Sequence, residues 1–201
     1  MIAIIDYDAG NMLSVVKAMT HLGQEPVITR DAKVLKAADK VILPGVGAFG
    51  DAMDKLNDHN LVPVIKDVIK SDKPFLGICL GQQLLYEESE ESPGVEGIGV
   101  LKGRIRKIPQ GEYRKIPHMG WNSLDFPNRG RLFEGIGEGS FVYFVHSFYL
   151  DASDKSTVTA TTSYNVTIDA SVESGNVFAC QFHPEKSGDV GLKILQNFIK
   201  L

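Results

Sequence analysis

Apolar runs alternate with amphipathic segments through the first half of the chain. A strand covered on both faces is predicted from the continuous apolar run at residues 2–5, and further short strands are predicted at residues 26–29, 41–43 and 74–79. Helices are predicted from apolar residues at helical spacing over residues 11–22, 49–56, 61–69 and 80–88. Asn11 is expected to cap the first helix, and Gly23 to end it. Strands that alternate with helices are typical of βαβ units, so this half predicts a parallel sheet.

The pattern changes after Gly94. Residues 101–108 alternate apolar and basic side chains with a period of two, which predicts a strand. Further strands are predicted at residues 141–148, 158–164, 170–173 and 177–182. An amphipathic helix over residues 188–201 closes the chain. The expected fold is therefore α/β, with a mostly parallel central sheet, helices on both of its faces and antiparallel strands added in the second half.

Length and composition favour one globular domain over residues 1–201. The chain is 43% hydrophobic and 23% charged, which is ordinary for a folded domain. Its 21 basic and 25 acidic residues give a net charge of −4, so no basic excess is present to bind nucleic acid. No apolar run reaches the ~20 residues of a membrane span, and the first residues lack a basic signal-peptide region. Two cysteines do not make a disulfide framework, and we expect a reduced, cytoplasmic protein.

The sharpest chemical signal is the sequence GICLG at residues 77–81. It follows an apolar strand and precedes a helix, as in a nucleophile elbow with Cys79 as the nucleophile. The helix amino terminus lowers the pKa of a thiol and offers backbone N–H groups. The alternative is a buried core cysteine, but glycines two residues to either side of Cys79 favour the elbow.

A thiolate nucleophile needs a base, and the base needs a group that orients it. The sequence His-Pro-Glu at residues 183–185 supplies both at the end of a strand. Proline keeps His183 out of the helical region, and an extended backbone places side chains two apart on one face. Glu185 is then within reach of the His183 ring. The sequence therefore predicts a triad of Cys79, His183 and Glu185.

Acyl transfer also needs donors for an oxyanion. The N–H of Leu80 is one candidate. The second is the N–H of Val46, because residues 44–47 (PGVG) follow the neighbouring strand and glycines let that backbone turn inward. Residues 45–50 also match the dinucleotide pattern G-x-G-x-x-G. A dinucleotide site also needs an acid at the end of the next strand, where Cys79 stands instead.

Several other residues have an ordinary structural explanation. Cys180 lies within a strand and is expected in the core, while the acidic residues Glu87, Glu88, Glu90 and Glu91 are expected on the surface. His118 and His146 are ambiguous, since each lies in an apolar or aromatic setting where a structural histidine is the commoner case.

Residues 77–83 (GICLGQQ) and 183–185 (HPE) together resemble the class I, triad-type glutamine amidotransferases. The resemblance narrows to glutaminase subunits of histidine biosynthesis through four further segments, at residues 6–11 (DYDAGN), 44–50 (PGVGAFG), 117–122 (PHMGWN) and 143–147 (YFVHS). It runs from Met1 to the final helix. Family members often have methionine where Gln82 stands.

The resemblance implies a flavodoxin-like glutaminase that needs no metal or organic cofactor. It also implies a heterodimer with a cyclase subunit, a (β/α)8 barrel, which receives the ammonia. By similarity, Cys79 is the nucleophile, His183 the general base and then acid, and Glu185 the orienting group. Glutamine would be held by Gly47, Gln83, Ser147 and Phe148. The partner would be faced by Asn11, Met119, Trp121, Tyr143 and Lys186.

Two alternatives stay open at this stage. One is a non-enzymatic flavodoxin-like module that binds the phosphate of a nucleotide in the glycine-rich loop at residues 45–50. The other is an amidotransferase subunit that serves a different synthase; only the resemblance of residues 117–122 argues against it.

Overall fold

The structure is a computed structural model that describes residues 1–8, 12–112 and 114–201. Its α-helices are α1 (Met12–His21), α2 (Ala32–Ala37), α3 (Phe49–Asp58), α4 (Leu61–Lys70), α5 (Leu80–Leu84) and α6 (Gly188–Lys200). Its strands are β1 (Ile2–Ile5), β2 (Val27–Thr29), β3 (Lys40–Leu43), β4 (Phe75–Ile78), β5 (Glu88–Ser89), β6 (Gly103–Lys107), β7 (His118–Ser123), β8 (Phe141–His146), β9 (Phe148–Ala152), β10 (Val158–Tyr164), β11 (Val166–Ser174) and β12 (Val177–Cys180). Short 3-10 turns lie at Arg131–Phe133, Lys155–Thr157 and Pro184–Lys186.

The largest sheet has seven strands in the order β10-β11-β12-β4-β3-β1-β2. The strands from β12 to β2 run parallel, and β11 and β10 are antiparallel additions. This confirms the predicted α/β sheet with antiparallel strands from the second half of the chain. Smaller sheets are formed by β5-β6-β9 and by the pair β7-β8. Among the described residues, no helix is long and apolar enough to cross a membrane.

Successive side chains of the central strands enter two different cores. In β1, Ala3 and Ile5 pack with residues of α2, α3 and α4, while Ile2 and Ile4 pack with residues of α1 and α6. Because strand side chains alternate between faces, helices cover both sides of the sheet. The continuous apolar runs of the sequence reflect this double coverage.

The helix predicted over residues 80–88 is wrong in its second half, because α5 ends at Leu84. The next residues turn away, and their carbonyl groups accept hydrogen bonds from a later segment: Gly99 N–H donates to Tyr86 and Gly97 N–H donates to Glu87. Glu88 then begins β5. These long-range bonds are invisible in a local pattern, which reads as a continuous helix.

The strand predicted over residues 141–148 is in fact two strands that separate at Ser147. β8 pairs with β7, whereas β9 pairs with β6 in another sheet. The chain therefore changes sheets at Ser147, and this change places residues 146–148 beside the strand ends of the central sheet. β5, β7 and α2 are not among the predicted elements, and most of β9 lies beyond them; α2 begins where Asp31 accepts hydrogen bonds from Lys33 and Val34 N–H.

Candidate active site

The carboxyl ends of three neighbouring parallel strands, β3, β4 and β12, meet at one edge of the central sheet. Leu43 of β3 is opposite Gly77 of β4, and Ile78 is opposite Cys180 of β12. The segments that follow these strands therefore leave the sheet side by side, as at the ligand-binding edge of open α/β sheets. The predicted nucleophile, base and oxyanion loop all lie in these segments.

Cys79 occupies a tight turn between β4 and α5. Its φ of 55° and ψ of −110° are sparsely populated for a residue with a side chain, so the turn holds local strain. The Cys79 N–H donates to the Cys180 carbonyl at 2.7 Å, which fixes the turn to β12. Side chains at the flanking positions would collide with backbone: a Cβ on Gly81 would lie 1.9 Å from the Leu43 carbonyl oxygen. This geometry confirms the predicted strand-to-helix elbow.

His183 and Glu185 lie directly after β12. The His183 Nδ1 atom is 2.7 Å from a carboxylate oxygen of Glu185, and both side chains are buried. The predicted pairing of these two residues is therefore present. Within the described chain, the Nε2 atom of His183 has no hydrogen-bond partner. A base held at Nδ1 by Glu185, with the Cys79 sulfur close enough to raise its pKa, is arranged for proton transfer.

The pKa of His183 rises from its ordinary value of 6.5 to about 9. Burial is the largest influence and lowers this pKa, but the nearby Cys79 sulfur and the Glu185 carboxylate together outweigh burial. His183 therefore carries a proton at neutral pH. The imidazolium is the form that can donate a proton to a leaving amine.

The loop after β3 lies against the elbow. A Cβ on Gly45 would lie 3.0 Å from both the Gly81 nitrogen and the Leu80 Cβ, so only glycine permits this approach. Gly47 has a φ of +102°, which L side chains rarely adopt. The buried Tyr7 hydroxyl donates to the Pro44 carbonyl at 3.0 Å and so anchors the start of the loop.

The dinucleotide pattern of residues 45–50 serves a different purpose here. The Phe49 N–H donates to the Glu91 carboxylate at 2.8 Å, and the Gly50 N–H donates to the Ser92 hydroxyl at 2.9 Å. The amino terminus of α3 is thus already capped by an anionic side chain, where a phosphate would have to bind. This finding removes the basis of the nucleotide-binding alternative.

A cavity of about 340 Å³ opens beside the Cys79 side chain. It is lined by all four residues predicted to hold glutamine, Gly47, Gln83, Ser147 and Phe148. Cys79, His183, Val46 and Leu80 also line it. The cavity is large enough for an amino acid, and it brings the predicted nucleophile, base and oxyanion residues together around one space.

A chain of amides joins the cavity wall to the nucleophile. The Gln83 amide donates to the Phe148 carbonyl at 3.0 Å and to the Gln181 side-chain oxygen at 2.8 Å. The Gln181 amide nitrogen in turn lies 3.7 Å from the Cys79 sulfur. Gln83 is therefore held by the β9 backbone on one side and by the segment that carries His183 on the other.

The β7–β8 hairpin presents two different faces. On the outer face, Met119 and Trp121 are 61% and 56% exposed, and they lie opposite Val145 and Tyr143 of β8. The Tyr143 carbonyl accepts from the His183 N–H at 2.9 Å, so this strand also supports the triad. Lys186 is exposed in the turn after Glu185. Asn11 lies outside the described residues.

The structure also places the remaining sequence predictions. Cys180 is fully buried in β12, as expected, and burial raises the pKa of its thiol well above the ordinary value. Both cysteines are free thiols. Glu87 and Glu88 are exposed and paired with Lys102 and Arg104.

Three contributors to the site were missed by the sequence predictions. The surface interpretation is wrong for Glu91, which caps α3 and lines the cavity. Tyr7 anchors the oxyanion loop, and Gln181 contacts the Cys79 sulfur. The Glu91 carboxylate can meet the ammonium group of an amino acid. Glu91 is one of four acids within residues 87–91, and nothing in the sequence separates it from the other three.

The chain is similar to known glutamine amidotransferases. The family model described as glutamine amidotransferase class-I matches residues 3–201. A protein of Bacillus cereus strain G9842 named imidazole glycerol phosphate synthase subunit HisH is 50% identical over 198 residues, covering 98% of this chain and 93% of its own length. A protein of the same name from Methanothermobacter thermautotrophicus is 49% identical over 201 residues, covering 100% of this chain and 98% of its own.

The fold is shared more widely. A crystal structure of a glutamine amidotransferase superposes with a TM-score of 0.77, covering 98% of this chain and 97% of its own, at 18% identity. From the full-length family match and the two relatives, the chain belongs to the class I glutamine amidotransferase family, among the HisH subunits of imidazole glycerol phosphate synthase.

Proposed function

We propose that this chain is the glutaminase subunit of an imidazole glycerol phosphate synthase. It forms one domain over residues 1–201, hydrolyses glutamine to glutamate and ammonia, and passes the ammonia to a cyclase subunit in histidine biosynthesis. One observation carries the proposal: His183 and Glu185 are buried, with Nδ1 and Oε1 2.7 Å apart, and His183 lines the same amino-acid-sized cavity as Cys79.

The triad residues take distinct roles. The Cys79 thiolate is the nucleophile, because it lies on a strained elbow that projects it into the cavity. His183 is the proton carrier, through the Nε2 atom that Glu185 leaves open. Glu185 orients the ring and favours its protonated form.

Two backbone N–H groups stabilise the oxyanion. Leu80 begins α5, where the first N–H groups of a helix have no partner within it. Val46 supplies the second donor from the loop that packs on the elbow. Such donors act on charge that develops only in the transition state.

Glutamine binds with its side-chain amide toward Cys79. Gln83 and the 147–148 segment line the wall next to the thiol, and Gly47 lines the wall formed by the oxyanion loop. The Glu91 carboxylate lines the same cavity and pairs with the substrate ammonium group. This placement leaves the amide carbon beside the sulfur.

The reaction then proceeds in two halves. The Cys79 sulfur forms a bond to the amide carbon, and the carbonyl electron pair moves onto the oxygen held by Val46 and Leu80. His183 gives its Nε2 proton to the amide nitrogen as the carbon–nitrogen bond breaks, which releases ammonia. Water loses a proton to His183 and attacks the thioester; the carbon–sulfur bond breaks, glutamate leaves and the thiolate returns.

The partner is a cyclase subunit with a (β/α)8 barrel, bound as a heterodimer. It docks on the outer face of the β7–β8 hairpin, where Met119, Trp121 and Tyr143 lie on one side of the sheet. Exposed apolar patches of this kind are typical of protein interfaces. Lys186 and Asn11 also belong to this contact, and Trp121 comes within 3.9 Å of where a Cβ on Gly188 would lie, just after Lys186.

Val46 connects the partner face to the reaction. Its side chain is exposed, and it lines the cavity together with Val145 of the outer hairpin face. The Gly45–Val46 peptide rotates between two states, with the N–H outside or inside the oxyanion hole. Partner binding favours the inward state because the partner binds that state more tightly.

The chain works in the cytoplasm. Its nucleophile must remain a free thiol, and both cysteines are unpaired.

The experiment is a glutaminase assay of the purified chain with and without the cyclase subunit. Glutamine hydrolysis should rise when the cyclase and its nucleotide are added. Cys79→Ala should abolish glutamine-dependent turnover, while the complex still forms product from ammonium salts. Cys180→Ala is the matched control and should keep its activity, since that thiol is buried in β12. Glutamine-dependent turnover by a Cys79→Ala complex at the parental rate would disprove the assignment.

A further inference from the structure

Two buried histidines meet on the inner face of the β7–β8 hairpin. His118 and His146 are direct partners in the strand register, and the His118 Nδ1 atom lies 2.9 Å from the His146 Nε2 atom. Both residues are at most 6% exposed. The catalytic steps above use neither ring.

Both rings are neutral at neutral pH. Burial, and to a smaller extent the Arg114 cation, lower the pKa of His118 to about 4. Burial is the main reason that the pKa of His146 falls to about 3; the hydrogen bond to the Phe148 carbonyl opposes this fall, and the neighbouring His118 and His183 add to it. A neutral imidazole has one donor nitrogen and one acceptor nitrogen.

The hydrogen-bond partners then fix which nitrogen carries each proton. The His146 Nδ1 atom is 2.8 Å from the Phe148 carbonyl oxygen, which can only accept, so this nitrogen is protonated. Its Nε2 atom must therefore accept from the His118 Nδ1 proton. The His118 Nε2 atom is left to accept from the Asn122 amide at 3.3 Å.

The orientation of the Asn122 amide is fixed in the same sense. Its nitrogen also donates to the Ser163 carbonyl at 3.1 Å, and its oxygen accepts from the Ser123 N–H at 2.9 Å. Every bond in the series from Asn122 to Phe148 thus points in one direction.

The series ends at the glutamine pocket. The Phe148 carbonyl accepts from His146 at 2.8 Å and from the Gln83 amide at 3.0 Å, so both of its lone pairs are used. Gln83 continues through Gln181 to the Cys79 sulfur. His118 itself lies in sequence between Pro117, which lines the pocket, and Met119, which is on the exposed face of the hairpin.

We propose that His118 and His146 are positioning residues for glutamine: a neutral pair, each protonated on Nδ1, holds the Ser147–Phe148 wall of the pocket and ties it to the hairpin that carries Met119 and Trp121. This inference rests on the proposed glutaminase function, which it deepens. A rigid wall is needed because Ser147 is the point where the chain passes from one sheet to another.

The first test is nitrogen-15 NMR of the imidazole rings in the full-length chain at neutral pH. Signals are assigned by comparison with variants of each histidine. Both rings should be neutral, with the proton on Nδ1 and a bare Nε2. A proton on Nε2 of either ring would overturn the proposal. This readout requires no glutaminase activity, so it remains valid if the proposed function fails.

The second test compares two substitutions of His118 in the complex with the cyclase. His118→Phe keeps a ring between Phe144 and Tyr164, which stack on His118 at 4.6 and 4.0 Å, but it removes the donor to His146. His118→Asn places an amide nitrogen near the position of Nδ1 and restores the donor. In His118→Phe, the KM for glutamine should rise roughly fivefold to tenfold with kcat little changed, the effect of one lost hydrogen bond in the ground state.

His118→Asn should return KM toward the parental value. Equal KM values for the two variants, or a loss confined to kcat, would contradict the positioning role. Should His118→Phe fail to fold, His118→Leu replaces it in the comparison with His118→Asn, because it also lacks a donor to His146. A parent complex that hydrolyses no glutamine at all would instead disprove the proposed function.

Discussion

The triad residues Cys79 and His183, at the carboxyl ends of the central strands, and the β7–β8 hairpin line one pocket, but the two regions are built in different ways. The elbow is local: Cys79 and its two flanking glycines lie within five consecutive residues, and His183 and Glu185 are two residues apart. The hairpin is assembled from strands about twenty residues apart, with one face buried and the other exposed. Under the proposals above, the elbow performs the chemistry, whereas the hairpin positions the substrate and binds the partner.

The largest expected effect tests the catalytic triad. Glu185→Gln removes the charge that helps to raise the pKa of His183 while leaving a side chain of the same size. The pKa of His183 should then fall, because only Cys79 is left to oppose the effect of burial. The glutaminase kcat of the complex should fall on the order of a thousandfold, within the range typical of general acid–base catalysis.

The pH dependence of kcat tests the same pair of residues. In the parent, the pKa of His183 is raised to about 9, so kcat should fall as the pH rises through 9 and the acid loses its proton. In Glu185→Gln this alkaline limb should move to lower pH. For the same reason, the stabilisation from protonated His183 should be complete below pH 6.5 and be lost as the pH rises through 9. If the decrease in kcat at alkaline pH occurs at the same pH in Glu185→Gln as in the parent, Glu185 does not act on His183 and is not part of the triad.

The next effect concerns the loop where the two regions meet. Val46→Pro deletes the N–H proposed as an oxyanion donor. The kcat of the folded complex should fall about a hundredfold or more, while the KM for glutamine changes less, because the donor acts on the transition state. Ammonia-dependent turnover should survive.

Val46→Ala is the matched control, since it trims the exposed side chain and keeps the N–H. It should retain kcat once the cyclase is saturating. A Val46→Pro complex with the parental glutaminase rate would leave Leu80 to be paired with another donor.

The same contrast explains what the sequence could and could not predict. The elbow can be predicted from the sequence because a turn this tight requires glycines at fixed offsets around Cys79. The hairpin cannot, because the pairing partners of its strands are set by tertiary structure. Residues 141–148 form an unbroken apolar-rich run, and nothing local marks the sheet change at Ser147. Glycine at residue 120 likewise obscured β7. Glu91 was hidden for another reason: only the packing of α3 selects it from a run of acids.

A smaller effect tests the hairpin face that is proposed to bind the cyclase. Trp121 is 56% exposed and packs edge-on against Tyr143, with ring centroids 6.2 Å apart. Trp121→Ala should weaken cyclase binding roughly thirtyfold, equivalent to about 2 kcal/mol, as for an aromatic hot spot. The dissociation constant can be measured by calorimetry, and glutaminase activity should recover at saturating cyclase.

Ile28→Ala is the control, because Ile28 is 39% exposed on the edge strand β2, outside the hairpin. Binding should be unchanged in that variant. Equal losses in both variants would indicate a general effect on the fold rather than a docking face on the hairpin.

The smallest effect distinguishes two neighbouring amides of the elbow helix. Gln82 and Gln83 are both buried, but within the described chain neither polar atom of the Gln82 amide has a hydrogen-bond partner, whereas Gln83 bonds to Phe148 and Gln181. An unpaired buried amide costs about 1–3 kcal/mol, and methionine fills a similar volume without polar atoms. Gln82→Met should therefore increase the free energy of unfolding by roughly 1 kcal/mol, measured by urea denaturation at a constant slope. The same change at Gln83 should decrease it, because that change leaves the Gln181 oxygen without its donor. If both variants shift stability in the same direction, the contrast between a paired and an unpaired amide does not govern this helix.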